Sequence, residues 1–318
     1  MPQRRYRIYG LTLASDLPFV APLEPSGDPT DITFDLVEGP PQERSGSQRL
    51  YTSASERDDG EPAVVLDRGP EVHLLRFAGA ATYAVREDRI TCYLLDERYR
   101  LGVEVWLLGT VLSLWLELHG IRALHAAAII VDGRAVGFMG TNGSGKSTLA
   151  ADLVRVGQPL LTDDILPLKR IDGEWRAHAG FPQMRMWPEQ AVRLLGGYED
   201  LDRVLPWGDK RRVPVGESGF GTFWPQPAPL AALYVPIRVE ESEIDVVVES
   251  VPSVEALATL FGQSFVAPLA NAAVSQAERL EQLGYLVSRV PIRRITYRSG
   301  YDRLPAVRTA LLEDIRGL

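Results

Sequence analysis

The chain has 318 residues and carries 42 acidic against 34 basic side chains, which gives a formal net charge of −8. This charge argues against a generally basic surface of the kind that binds nucleic acids non-specifically. The 45% hydrophobic and 24% charged residues are typical of a globular protein, and the length predicts about two domains. The single cysteine, Cys92, excludes an internal disulfide framework and a cysteine-rich zinc site, so we expect a reducing compartment.

No segment of the chain is expected to enter a membrane. The first residues, MPQRRYRIYG, lead into a proline-containing stretch without the long apolar core of a secretory signal, so we expect no export. The most apolar run, Val105–Leu116, has 12 residues, fewer than the roughly 20 that span a bilayer. We therefore predict a buried helix there and a cytoplasmic protein without a membrane partner.

Residues 1–98 show the pattern of a β-rich domain. Apolar residues alternate along Asp31–Val37, which is the period-two pattern of a strand. Turn residues separate four further apolar runs: Ala63–Leu66, Val72–Phe77, Ala81–Arg86 and Ile90–Leu95. We predict that these runs form the strands of an antiparallel N-terminal domain.

Residues 99–318 mix strands with helices. This part opens with a nearly continuous apolar helix over Tyr99–His119, and two strands follow, Leu124–Val131 and Ala135–Met139, around the turn-forming pair Asp132-Gly133. The later predicted strands are Leu160–Thr162, Ile165–Lys169, Glu174–Ala177, Leu230–Val239 and Ile244–Val251; the later helices are Leu149–Val156, Pro188–Leu195, Val254–Phe265, Leu269–Leu283 and Leu304–Ile315. This order predicts an α/β or α+β domain.

The strongest functional signal is a phosphate-binding loop. The residues GTNGSGKST from Gly140 to Thr148 match G-x-x-x-x-G-K-[ST], after a predicted strand and before a predicted helix. Its glycines let backbone N–H groups converge on phosphate oxygens. Lys146 would contact the β- and γ-phosphates of ATP, and Ser147 would supply a hydroxyl to Mg²⁺. The predicted nucleotide-binding residues are Gly140, Asn142, Gly143, Ser144, Gly145, Lys146, Ser147 and Thr148.

Two further signals accompany this loop. Asp163 and Asp164 close the next apolar strand, where a carboxylate can reach Mg²⁺ or a hydroxyl nucleophile. Adjacent residues on a strand point to opposite sides, so one carboxylate can hold metal while the other accepts a proton; a solvated turn is the alternative. His125 lies on the strand before the hairpin, where a lone histidine is more often a core residue than a functional one.

Together these residues resemble the HPr kinase/phosphorylase-like family. The resemblance rests on His125 in LHAAAIIVDG, on the loop GTNGSGKST and on Asp163-Asp164 in QPLLTDDILPL, with looser similarity in FPQMRMWPE and DKRRVPV. It implies an α/β P-loop kinase domain of the HPr kinase and phosphoenolpyruvate carboxykinase-like type over residues 99–318, behind the smaller β-rich domain. It also implies ATP and Mg²⁺ as cofactors and a homo-oligomer.

The resemblance implies roles for individual acidic and hydroxyl residues. Asp163 would be the base for a serine hydroxyl and would be tuned by His125. Asp164 would help to hold the metal, together with Ser147. Lys146 would bind the phosphates of ATP.

Basic and aromatic residues are candidates for the rest of the site. Arg185 in QMRMWP, and Arg211 or Arg212 in DKRRVP, would approach the transferred phosphate, because a guanidinium stabilises its developing charge. Exposed, solvated charges are the alternative. Residues that could stack on adenine, or simply pack, are Trp187, Tyr297 and Tyr301.

Two features indicate the acceptor. Thr148 stands where the HPr-directed enzymes carry a glutamate, and their glycine-rich docking signature is not found in the sequence, which argues against HPr. The start RYRIYGLTLASDLPF resembles HPr-kinase-like proteins encoded beside clusters for ribosomally made peptides, including lasso-peptide tailoring kinases. The resemblance implies transfer to a serine of a peptide or small protein, with the C-terminal serine of a lasso-peptide precursor as the best match. A nucleotide triphosphatase and a non-catalytic nucleotide-gated binding module are the alternatives.

Overall fold

The computed structural model describes residues 3–41, 47–56, 60–217, 219–240 and 245–318. The chain divides into two compact units, Met1–Gly120 with Val266–Ser275 and Ile121–Phe265 with Gln276–Leu318. Large sheets and helices together make the fold mixed α/β. The first division along the chain falls after Gly120, whereas the sequence prediction placed it between residues 98 and 99.

The described strands of the first unit form one sheet. They are β1 (Arg4–Ile8), β2 (Leu11–Ser15), β3 (Glu24–Pro25), β4 (Ile32–Glu38), β5 (Gln48–Thr52), β6 (Val64–Arg68), β7 (His73–Phe77), β8 (Ala81–Val85) and β9 (Arg89–Leu94), in the order β3-β1-β2-β4-β9-β8-β7-β6-β5. The five predicted strands coincide with β4 and β6 to β9. The sheet is antiparallel except at β4, which pairs in parallel with both β2 and β9.

An apolar helix lies in the core of the first unit. It consists of α1 (Arg100–Trp106), a π-helical segment (Leu107–Val111) and α2 (Leu112–Leu118), and the short helix α6 (Ala267–Ala273) belongs to the same unit. Residues 97–118 are long and apolar enough to cross a membrane by length and composition, but 72% of the apolar window is buried inside the structure. The helix predicted over Tyr99–His119 is therefore a buried helix.

Hydrogen bonds tie this helix to the first unit. The hydroxyls of Tyr9 and Tyr83 donate to the carbonyl oxygens of Leu108 and Val103, both at 2.9 Å. The buried carboxylate of Glu104 accepts hydrogen bonds from the backbone N–H groups of residues 20 and 21, at 2.5 and 3.0 Å. These contacts explain why the helix groups with the strands that precede it.

The second unit is built on a sheet with helices on both faces. Its described sheet strands are β10 (Arg122–Val131), β11 (Arg134–Met139), β12 (Leu160–Thr162), β13 (Ile165–Ile171), β14 (Glu174–Ala177), β17 (Ala228–Val239), β18 (Val246–Ser250) and β19 (Ile292–Arg298), while β15 (Gln183–Met186) and β16 (Arg211–Pro214) pair separately. Its helices are α3 (Lys146–Arg155), α4 (Pro188–Leu195), α5 (Ser253–Gly262), α7 (Gln276–Arg289) and α8 (Leu304–Arg316). β17 runs parallel to β11 and β19, and β10 runs antiparallel to β11, β12 and β13.

Alternation along β10 places apolar side chains in two cores. Ala127, Ile129 and Val131 join the core formed with α3 and α8. Ala126, Ala128 and the other even-numbered apolar residues of β10 join the core formed with α5 and α7. Because both faces are covered, β10 is apolar from Ala126 to Val131, as in other sheets buried on two sides. The neighbouring strand β11 pairs with β10 along its length and ends where the glycine-rich loop Gly140–Gly145 begins.

The structure differs from the predicted elements in one helix and in several strands. The helix predicted over Leu269–Leu283 is wrong, because Val274 is extended and separates α6 from α7. The spacing of Ser275 and Glu278 is the S-x-x-E signature of a new helix start, which the prediction overlooked. Strands β1, β2, β3, β5, β15, β16 and β19 were not predicted. The predicted strand Ile244–Val251 appears as β18, and Ile244 lies outside the described residues.

We expect Glu104→Ala to destabilise the protein by about 2–4 kcal/mol, because one buried and one part-buried N–H group lose a charged acceptor. Urea denaturation measures this loss. The control, Glu97→Ala, removes an exposed carboxylate paired with Arg100 and should change the free energy of unfolding by less than about 0.5 kcal/mol. Equal effects of the two substitutions would contradict the assignment of Glu104 as the buried anchor of the helix.

Candidate functional site

The loop Gly140–Gly145 joins β11 to α3 in a conformation that needs glycine. Gly140, Gly143 and Gly145 have φ angles of +151°, +79° and +102°, in the region that side chains disfavour. A Cβ atom on Gly145 would also lie 2.6 Å from the hydroxyl of Tyr297. The loop therefore has a defined shape, and α3 begins directly after it at Lys146.

Lys146 is folded back over the loop. Its ammonium donates to the carbonyl oxygens of Gly140 and Thr141, at 2.7 and 3.0 Å, and the side chain is buried. Burial lowers the pKa of Lys146, while the charges of Asp164 and Asp163 act in the opposite direction. A lysine held at the mouth of such a loop can exchange carbonyl acceptors for phosphate oxygens.

Asp163 and Asp164 form a tight turn between β12 and β13. The hydroxyl of Thr162 donates to the carbonyl oxygen of Ile165 at 2.6 Å, and the N–H of Ile165 donates to the carbonyl oxygen of Asp163 at 2.9 Å. Asp164 has φ +66°, a left-handed conformation that aspartate tolerates better than most residues. The turn separates the two carboxylates, so they face different partners.

Asp163 lies under the loop, next to the first turn of α3. One of its carboxylate oxygens accepts from Ser147 Oγ at 3.1 Å, and the other accepts from the backbone N–H of Arg185 at 2.8 Å. Only 8% of the residue is exposed. Burial, together with the charge of Asp164, raises the pKa of Asp163 from 3.8 to about 6.

Asp164 faces the cavity and is paired with Arg185. Their side chains are 3.1 Å apart, and each is 17% exposed. Burial alone would raise the pKa of Asp164, but nearby positive charges outweigh it and lower the pKa below 3.8; in order of effect they are Arg185, Lys210, His125 and Lys146. Asp164 is therefore ionised near neutral pH.

Arg185 is aimed at the cavity by strand alternation. Its neighbours in β15, Met184 and Met186, are fully buried in the core that contains α3. Side chains alternate along a strand, so Arg185 projects the other way. Its backbone binds Asp163 and its guanidinium binds Asp164, so one residue positions both carboxylates.

His125 lies on β10 at the edge of the same cavity. Its backbone N–H donates to the carbonyl oxygen of Gln263 at 2.7 Å, and its ring meets that of Phe265 edge to face at 5.4 Å. Burial and the charge of Lys146 lower the pKa of His125 below 6.5, although Asp164 opposes this. The imidazole is thus neutral near pH 7 and close to Asp164.

The cavity bounded by these residues has a volume of about 600 Å³. Residues predicted from the sequence that line it are His125, Asn142, Gly143, Gly145, Lys146, Ser147, Thr148, Asp164, Arg185, Trp187 and Tyr301. Residues missed by the prediction are Glu189, Gln190, Lys210 and Arg238. The cavity is therefore formed by the loop, the aspartate turn and the β15–α4 segment together.

Arg211 and Arg212 do not line this cavity. The guanidinium of Arg211 lies 5.1 Å over the ring of Tyr198, and that of Arg212 donates to the carbonyl oxygens of Arg203 and Val204 at 3.4 and 3.1 Å. Both side chains are thus engaged away from the site. Lys210, the residue before them in the sequence, lines the cavity where the sequence prediction expected Arg211 or Arg212.

Sequence signals for the missed residues differ. Lys210 belongs to the basic run that the prediction noticed, but which of its members faces the site depends on the pairing of β15 with β16. Gln190 donates to the hydroxyl of Thr148 at 2.7 Å and accepts from the backbone N–H of Trp187 at 3.0 Å. Arg238 donates to the carbonyl oxygen of Gly143. No local motif marks Gln190 or Arg238.

The donors beside the loop fit a magnesium ion. Ser147 Oγ and a carboxylate oxygen of Asp163 lie 3.1 Å apart, and both are hard oxygen ligands. Mg²⁺ in nucleotide sites is usually held by one or two such protein groups, with phosphate and water completing the shell. Asp164 is the second carboxylate within this turn. Ser147 and Asp163 are the residues that would hold the ion, while Asp164 faces the cavity.

We expect Asp163→Asn to stabilise the magnesium-free protein at pH 7.5. The raised pKa means that ionising Asp163 costs the folded state free energy as the pH rises from about 4 to above 6, whereas the unfolded state has no such cost. The penalty is of the order of 3 kcal/mol and is absent below about pH 4. Melting curves in EDTA should show the variant several degrees above wild type at pH 7.5 and level with it near pH 4.

Asp172→Asn is the matched control, because Asp172 is a turn residue with φ +51° in the same unit and its carboxylate lies outside the cavity. Its melting temperature should follow wild type at both pH values. A variant Asp163→Asn that melts lower than wild type by the same amount at both pH values would contradict the raised pKa.

Comparisons with known proteins show similarity at the level of solved structures. No protein-family model matches the chain, and no curated protein matches it in sequence. Among solved structures, the HPr(Ser) kinase/phosphatase from Coxiella burnetii is similar, with 13% identity and a TM-score of 0.33, over 61% of this chain and 97% of that one. At this distance the similarity carries no functional argument, so the function is inferred from the geometry of the site.

Proposed function

We propose that this chain is an ATP-dependent, magnesium-assisted kinase that transfers the γ-phosphate to a serine hydroxyl of a peptide or small protein. The observation that carries the proposal is that one cavity brings together the loop lysine, Lys146, and an ionised carboxylate, Asp164. Phosphoryl transfer needs these two functions side by side: a cationic phosphate cradle and an acceptor for the hydroxyl proton.

Asp164 is the better placed of the two carboxylates to take that proton. It lines the cavity beside His125, whereas Asp163 lies beneath the loop in contact with Ser147. The sequence prediction gave the base role to Asp163 and the metal role to Asp164, and the geometry favours the reverse. In the proposed arrangement Ser147 and Asp163 hold Mg²⁺, which neutralises phosphate charge when bound.

The proposed reaction moves one proton to Asp164 and one phosphoryl group from ATP to the serine. The serine O–H bond breaks and its proton passes to the carboxylate of Asp164. The serine oxygen forms a bond to the γ-phosphorus while the bond from that phosphorus to the β,γ-bridging oxygen breaks, which releases ADP. Lys146 and Arg185 stabilise the charge that spreads over the transferred oxygens.

The acceptor is proposed from the sequence resemblance. The segment RYRIYGLTLASDLPF is similar to kinases of ribosomally made peptides, so the C-terminal serine of a lasso-peptide precursor is the acceptor to test first. A peptide terminus fits the requirement that the hydroxyl reach a recessed carboxylate. Internal serines on folded surfaces meet that requirement less easily.

The test uses γ-labelled ATP, Mg²⁺ and peptides that end in serine. We expect label on the peptide with wild type, none on the same peptide ending in alanine, and a loss of about 10²–10⁴-fold in kcat for Asp164→Asn. Lys146→Ala should lose both nucleotide binding and transfer. The surface variant Asp172→Asn should transfer at the wild-type rate.

Other outcomes would overturn parts of this proposal. Release of labelled phosphate without a labelled peptide, across a panel of serine-terminated peptides, would favour a triphosphatase. Tight ATP binding without turnover would favour a nucleotide-gated binding module. Transfer by Asp164→Asn at a near wild-type rate, with a large loss in Asp163→Asn, would return the base role to Asp163.

A further inference from the structure

Lys210 is a cation of the cavity with no acidic partner among the described residues. The guanidinium of Arg185 is paired with Asp164, that of Arg238 binds the carbonyl oxygen of Gly143, and Lys146 is bound to loop carbonyls. The ammonium of Lys210 instead lies 5.6 Å over the ring of Trp187. It is thus the cavity cation that is least committed to protein oxygens.

The pairing of β15 with β16 fixes where Lys210 stands. The final pair of this two-stranded sheet is Met186 with Arg211, so the register continued by one step sets Trp187 opposite Lys210. The carbonyl oxygen of Lys210 also accepts from the N–H of Val204 at 2.9 Å. The backbone is therefore anchored, while the ammonium lies over an exposed aromatic ring, and 52% of that tryptophan is accessible.

The cation–π contact with the exposed ring of Trp187 holds the ammonium of Lys210 only weakly. Such contacts contribute about 0.5–1 kcal/mol, whereas hydrogen bonds between a charged donor and phosphate are roughly twice as strong as neutral ones. The charge of Lys210 also acts on the titrating groups at the centre of the site: it helps to lower the pKa values of His125, Lys146 and Asp164, and it opposes the burial that raises the pKa of Asp163. A phosphate bound there would be within its field.

Lys210 would add a third cation to the two that the proposed transfer places at the γ-phosphate, because both Lys146 and Arg185 have other partners as well. Lys146 spans the β- and γ-phosphates in loops of this type, and Arg185 already balances Asp164. Transfer places the developing charge on the γ-phosphoryl oxygens, and a further cation there would stabilise it. Lys210 is half-buried at the wall of this cavity and has the flexible stem to reach inward.

We propose that Lys210 is a γ-phosphate-binding residue, which rests on the ring of Trp187 in the free protein and moves to the γ-phosphate when MgATP binds. Its ammonium donates hydrogen bonds to the phosphate oxygens, so no covalent step is added to the transfer. This inference rests on the proposed function, since it assumes that ATP is the phosphate donor.

The first test compares ATP with ADP in calorimetric titrations in the presence of Mg²⁺. We expect Lys210→Ala to raise the Kd for ATP by about 10- to 100-fold, the value of one charged hydrogen bond, and to change the Kd for ADP by less than about twofold. Lys210→Arg should recover part of the ATP affinity. Lys169→Ala is the matched control, because Lys169 is exposed on β13, and it should bind both nucleotides as wild type does.

The second test measures the accessibility of the Lys210 ammonium to a labelling reagent. The chain contains three lysines, Lys146, Lys169 and Lys210, so acetylation followed by mass spectrometry can follow each of them. We expect MgATP to protect Lys210 strongly, MgADP to protect it weakly, and neither to change the labelling of Lys169.

Three results would overturn the inference while leaving the proposed function intact, provided that wild type binds ATP and Lys146→Ala does not. They are equal losses of ATP and ADP affinity in Lys210→Ala, unchanged labelling of Lys210 with MgATP, and a raised KM for the acceptor peptide with unchanged ATP affinity. The last would assign Lys210 to the acceptor. If wild type bound no ATP, the proposed function itself would fail.

Discussion

The carboxylate of Asp163 is the group on which the geometry of the second unit depends. It is buried, and a buried carboxylate is costly unless hydrogen bonds satisfy it. Its two bonds go to Ser147 on α3 and to the backbone of Arg185 on β15. Because Asp163 also belongs to the turn between β12 and β13, three segments distant in sequence are held in one arrangement. The adjacent residue, Asp164, is thereby presented to the cavity.

The cavity is lined mainly by positive charges, although the whole chain is negatively charged. The net charge is −8, yet the cavity is lined by more cations than carboxylates; the cations are Lys146, Arg185, Lys210 and Arg238, and the carboxylates are Asp164 and Glu189. Such a concave, cationic site is suited to a polyanionic ligand. The positive charges around Asp164, above all that of Arg185, keep this carboxylate ionised within the site. The residues that line the cavity therefore indicate an anionic ligand, which the composition of the whole chain does not.

Local signals allowed much of this site to be predicted, and long-range pairing accounts for what was missed. The loop from Gly140 to Ser147 and the position of the aspartate pair follow from contiguous residues. Which aspartate faces the cavity depends on the left-handed turn at Asp164, which no strand rule foresees. The choice of Lys210 over Arg211 depends on the β15–β16 register, set by residues that lie far apart in sequence. Strand β19 was missed because its place in the sheet depends on pairing with the distant strand β17. The break before α7 was different, because the local spacing of Ser275 and Glu278 did mark it.

Hydrogen exchange measured with and without MgATP tests the central claim most directly, that the nucleotide binds between the loop and the aspartate turn. We predict slower exchange in residues 140–148 and in the segments around residues 163–164 and 183–187, with little change across the first unit, and no such protection in Lys146→Ala. Protection elsewhere in the chain, or the same protection in wild type and Lys146→Ala, would contradict it.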